Sequence, residues 1–189
     1  MQTLGLSDST PRTESRFKSL FWPSIQTADD VDYLGAQGYW VCAIVAVLSL
    51  VASILADHAI AGVFVFLLYY LGGVGVREHS LYASVVVFIF FLADLVLNAI
   101  AAGPSVWRIL LAALLLANLR ATWIASGWKP DSPEAVQPPR LGDTWTDKFV
   151  DRVPMWLWPK VRVLYCVFSI CFSALLAIGI GTMLRHLAR

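Results

Sequence analysis

The chain has 189 residues, 58% of them hydrophobic and only 14% charged, with a mean hydropathy of +0.68. A soluble domain is about 45–50% apolar and about 25% charged, so an ordinary water-facing globule is excluded and the apolar excess points to a lipid bilayer. The net charge of +1 leaves no global field for nucleic acid, and no nucleic-acid partner is expected.

Residues 1–35 form a polar N-terminal tail. Its first dozen residues have a disordered composition, and Phe17, Leu20, Phe21 and Trp22 beside Arg16 and Lys18 make an amphipathic segment suited to the headgroup region. No apolar core with a small-residue cleavage site precedes them, so the first span is expected to act as an uncleaved insertion signal. Thr27 followed by Asp29, Asp30 and Asp32 resembles a helix start, with acids in the positive first turn.

Residues 36–126 hold four predicted transmembrane helices. The first, Tyr39 to Ala56, and the second, Ala59 to Val76, are separated only by Asp57 and His58, which predicts a tight hairpin. Arg77, Glu78 and His79 mark the next turn. The third span runs from Leu81 to Ala102, Gly103 and Pro104 break it, and the fourth runs from Val106 to Ala125 with Pro104 expected in its first turn. Each is close to the ~20 residues that cross a hydrocarbon core of about 30 Å.

Residues 127–160 form a Pro- and Trp-rich loop containing Pro130, Pro133, Pro138, Pro139, Pro154 and Pro159. Its middle, Asp143 to Arg152, predicts a short amphipathic helix with Asp143, Asp147 and Asp151 on one face. That ladder matches half of the aspartate pattern of membrane phosphotransferases acting on nucleotide-activated alcohols. Pro139 stands where the pattern needs glycine, and no DGxxAR precedes it, so a solvated helix face is expected. Residues 161–189 supply the fifth helix, Val163 to Leu184, and a short external tail.

Basic residues set the orientation. With the N-terminus in the cytoplasm, ten cations fall inside (Arg12, Arg16, Lys18, Arg77, Lys129, Arg140, Lys148, Arg152, Lys160 and Arg162) and two outside (Arg185 and Arg189). The expected architecture is therefore an all-α integral membrane bundle of five transmembrane helices with a cytoplasmic N-terminus, in the plasma (inner) membrane.

Asp94 and Asn98 share one face of the third helix. Folding the third and fourth spans about Gly103 and Pro104 brings Asp94 within roughly 6 Å of Arg108, where a bidentate contact is available. Arg120 is expected to meet Glu78 at the inner end of the bundle, and Asn118 to make an interhelical hydrogen bond. Small residues recur at every fourth position as Ala113, Ala117, Ala121 and Ala125 on the fourth helix, and as Ser169, Ser173, Ala177 and Gly181 on the fifth. These ridges serve either intramolecular packing or a homodimer seam. The alanine ridge and Arg108 give the fourth helix two faces turned from lipid, which predicts a central place for it. Gly72, Gly73 and Gly75 are expected to permit close packing.

Enzyme chemistry finds little support. Cys42, Cys166 and Cys171 lie in apolar runs without CxxC spacing, the histidines lie near span ends, and there is no HExxH, GxSxG or Gly-rich phosphate loop. No metal or cofactor is expected. Trp145, Phe149, Trp156 and Trp158 are the candidate contacts for a membrane-protein partner or lipid at the cytoplasmic face, which favours a non-enzymatic binding or assembly subunit. The alternative is a transporter or channel subunit using Asp94 and Arg108.

Overall fold

The computed structural model describes residues 21, 24–25, 28–127 and 145–187, and every regular element among them is a helix. Among the described residues, five helices are long and apolar enough to cross a membrane. They are α1 (Ala28–Leu55), α2 (Ala59–Arg77), α3 (Leu81–Ala102), α4 (Val106–Ser126) and α5 (Val153–Leu187). The all-α, five-helix architecture expected from the sequence is the one the chain adopts, and it fits a multi-pass membrane protein. The amphipathic segment around Trp22, the loop prolines from Pro130 to Pro139, Trp128 and Asp143 lie outside the described residues.

The turns are built by recognisable caps. Asp57 (φ 58) and His79 (φ 53) each take the left-handed conformation just after a helix. At the first turn the His58 N–H donates to the Ser53 carbonyl and Asp57 N–H to Ile54; at the second, Ser80 N–H donates to Gly75 and His79 N–H to Val76. This is the Schellman arrangement at both sites, with Asp and His in the place glycine usually holds. Ser80 then caps α3, accepting from the Ala83 N–H. Gly103, at φ +88, ends α3. Pro104 lies outside α4 rather than in its first turn, because Ser105 is the cap residue and Val106 the first helical one.

The central helix is α2, not α4 as the sequence predicts. It packs against α1, α3 and α5, whereas α4 packs against α1 and α3. Three glycines explain the difference, Gly73 facing α1 and Gly72 and Gly75 each facing both α3 and α5. A Cβ on Gly73 would stand 2.7 Å from the Cys42 Cβ of α1, and one on Gly75 would stand 2.5 Å from both Ala83 of α3 and the Trp158 ring of α5. Gly72 meets Val87 and Tyr165. Lipid supplies no hydrophobic drive between helices, so this close backbone approach is what holds them together. The alanine ridge of α4 is used inside the chain: Ala117 and Ala121 are buried against Val31 and Leu34 of α1.

The fifth helix starts earlier than a proline-based boundary predicts. One helical turn, Trp145–Asp147, and a π turn, Lys148–Arg152, run directly into α5 at Val153, and Pro159 lies inside the helix. The π turn ends two residues before Pro154, whose ring has no N–H to give and would collide with the carbonyl four residues back, at Val150 within that turn. Widening that turn accommodates it. Tertiary packing then overrides the breaker signal, since Pro154 is buried and Trp158 wedges between Gly75 and Tyr165.

Candidate functional site

The charged end of the bundle, where α1 begins and α2 ends, is organised by Arg77. The α1–α2 hairpin sets Cys42 beside Gly73 and Gly38 beside Val76, so the Arg77 guanidinium reaches outward past Gly35 to Asp32. There it forms a two-pronged contact, Nη1 to Oδ1 at 2.6 Å and Nη2 to Oδ2 at 3.0 Å, and Nη1 also donates to the Asp32 carbonyl at 3.2 Å. Its Nη2 donates to Asp151 Oδ1 as well, at 2.5 Å. The Arg77 side chain is 3% exposed, against 29% for Asp32 and 15% for Asp151.

This cluster departs from the sequence reading in two ways. Arg77 is not merely a turn cation on the inner surface. Asp151 is not on a solvated face, because the π turn aims it into the bundle, where Val150 is buried with Tyr39 and Val74. Mirroring residues about Asp57 sets Arg77 level with Gln37, so the hairpin register brings the ends of α1 and α2 together without singling out Asp32, five residues further on. Nothing in the sequence announces Asp151, which is 74 residues from Arg77.

The clamp fixes what the preceding segment presents. Trp145 is 84% exposed and Trp156 64% exposed, and Lys160 Nζ sits 3.7 Å over the Trp156 ring. Phe149 is half-turned inward, 6.4 Å from Tyr39. Trp158, one of the four expected contact residues, is instead a packing residue, half-buried against Gly75 and 5.8 Å from Tyr165. Glu78 and Arg120 are both half-buried and both engaged.

Asn118 lies at the junction of α1, α3 and α4. Its amide donates to the Leu34 carbonyl at 2.9 Å, and its oxygen accepts from Ser84 at 3.4 Å. The interhelical bond expected of it is thus made to two helices at once, and Gly38 leaves room for it, since a Cβ there would stand 2.9 Å from the Asn118 side chain.

At the opposite half of the bundle the structure brings Asp94, Asn98 and Arg108 together. Arg108 Nη1 donates to Asp94 Oδ2 at 2.9 Å, and Asn98 Nδ2 donates to Asp94 Oδ1 at 2.8 Å. The contact is single rather than bidentate, and the Asn98 amide donates to the other carboxylate oxygen. Both partners remain open to their surroundings, Arg108 by 37% and Asp94 by 51%. Among the described residues no three His, Cys, Asp or Glu side chains converge as a metal site requires.

No protein-family model matches this chain, and no curated protein or solved structure matches it either.

Arg77→Met leaves two carboxylates facing each other and should cost about 3–5 kcal/mol, as breaking a buried pair does. Asp151→Asn should instead keep the α1–α2 contact and speed amide exchange over residues 148–152, read by hydrogen–deuterium exchange. For the other pair, a double-mutant cycle of Asp94→Asn and Arg108→Gln, followed by thermal unfolding in detergent, should give a coupling of about 0.5–3 kcal/mol. A coupling of zero would mean that the two side chains do not meet in the folded protein.

Proposed function

We propose that this chain is a small polytopic membrane protein that works without chemistry of its own, as a partner- or lipid-binding subunit in the assembly of a membrane complex. The carrying observation is the Arg77 clamp. It ties the segment before α5 to α1 and α2 through two carboxylates, while Trp145 and the Trp156–Lys160 pair stay outward. Aromatic and cationic side chains are the usual anchors of an interface, and holding them on a fixed backbone lowers the ordering cost of binding. Phe149 and Trp158 pack inward, against Tyr39 and against Gly75 and Tyr165.

The second reading, a transporter or channel subunit, draws on the half-exposed Asp94–Arg108 pair. Ionisable groups inside apolar spans are costly and frequently functional. The two readings make opposite demands on the same mutants. With Trp145→Ala and Trp156→Ala combined, the binding reading expects the copurifying partner to be lost in mild detergent, a weakening of about 2 kcal/mol or more, with thermal stability unchanged. Asp94→Asn should then leave partner retention intact. Unchanged retention in the tryptophan double mutant, together with loss of uptake in Asp94→Asn at normal membrane level, would decide for transport.

The proposal places the clamped end in the cytoplasm and the protein in the plasma membrane, on the bias of basic residues toward that side. A cysteine introduced at Ser132 in a cysteine-free background should react with an impermeant maleimide only after the membrane is opened. Labelling in intact cells would invert the orientation.

A further inference from the structure

A cavity of about 140 Å³ opens between α1, α2, α3 and α5, in the half of the bundle away from the clamp. Its walls are apolar and aromatic, with Phe90, Ala93 and Phe172 among them, and its polar groups are Ser49, Tyr69 and the Asp94 carboxylate. Leu97 at its rim is 45% exposed and Asp94 is 51% exposed, so the cavity reaches the outer surface of the bundle, where lipid would lie.

Four properties define what fits. Size comes first: an engineered apolar cavity of about 150 Å³ takes up benzene, so this one has room for a single six-membered ring. Depth is the second, because Asp94 lies eight residues before Ala102, the end of α3, or roughly 12 Å into the apolar slab. A charged headgroup drawn to that level would be stripped of water at high cost. Charge is the third. Arg108 already balances Asp94, so the site gives a net ionic head no counter-charge. Hydrogen-bonding sense is the fourth, since an ionised carboxylate only accepts and an occupant that meets Asp94 must donate.

We propose that this cavity binds an uncharged ring-headed lipid bearing a hydroxyl, of the prenylated quinol or phenol class. The ring lies among Tyr69, Phe90 and Phe172, its hydroxyl donates to Asp94, and the apolar tail leaves past Leu97 into the bilayer. Asn98 and Arg108 hold the carboxylate in place with one hydrogen bond to each oxygen, leaving further lone pairs for the ligand. Ala93 is the small wall residue that keeps the slot open. This site is separate from the tryptophan platform and stands whether or not that platform binds a partner.

The test uses the full chain in lipid nanodiscs with tritiated decyl-hydroquinone and its dimethyl ether as probes. The quinol should bind saturably, one per chain, above its partition into empty nanodiscs. The ether, which cannot donate, should bind about tenfold more weakly or worse, as expected for a lost hydrogen bond to a charged acceptor. Ala93→Leu, which fills the slot, should abolish binding in protein whose melting temperature matches the wild type, and the Trp145→Ala, Trp156→Ala protein should bind as the wild type does. Uptake no greater than in empty nanodiscs, equal binding of quinol and ether, or undiminished binding by folded Ala93→Leu would each overturn the proposal. Should Ala93→Leu not fold, the quinol and ether comparison on the unaltered chain still decides it.

Discussion

One buried guanidinium holds three parts of the chain in register. Arg77 ends α2, Asp32 lies in the first turns of α1, and Asp151 belongs to the π turn before α5. Lysine would not serve, because its single ammonium cannot grip both oxygens of one carboxylate and reach a second carboxylate in the same plane, as an arginine fork does. Two carboxylates share the one guanidinium. Such an arrangement is a poor source of net stability compared with apolar packing, but it penalises every alternative placement of the 145–152 segment. In a bundle whose α5 touches chiefly α2, that penalty sets where the fifth helix begins.

The clamp would have nothing to close on without the glycines of α2. The approach of Cys42 to Gly73, of Ala83 and Trp158 to Gly75, and of Tyr165 to Gly72 places α1, α3 and α5 around a single helix within a few residues of Arg77. A methyl group at any of these positions would push a neighbour outward, and in lipid no solvent pressure returns it. Close packing and the ion cluster therefore depend on each other. The glycines set the distances, and Arg77 spans them.

The sequence carries the spans, the turns and the Asp94–Arg108 contact because each depends on local pattern or on counting residues across a short hairpin. Asp57 and Gly103 sit at tight turns, so depth on one side predicts depth on the other. The same counting sets Arg77 level with Gln37, so it stops short of Asp32, and it cannot reach Asp151, which returns to the bundle only after a long connection, with a side-chain direction that depends on a π turn. Trp158 illustrates the converse. A Met-Trp-Leu-Trp run reads as interfacial on composition, yet Gly75 offers a notch for one of the two rings, and no periodicity in residues 155–158 reveals a notch on α2. Pro159 misleads for a similar reason, since the cost of a proline inside a helix is absolute on the local scale and modest beside the contacts made by Pro154, Trp158 and Tyr165.

The two arginine clusters differ in what they leave free. Around Arg77 nearly every donor and acceptor is turned inward, with the guanidinium 3% exposed. Around Arg108 the ion pair is finished by an amide from the same helix as its acid, and both charged groups remain partly open beside a ring-sized void. The structure covers one pair and leaves the other at the mouth of a cavity. The closed cluster ties α1, α2 and the π turn together, and the open one borders the cavity.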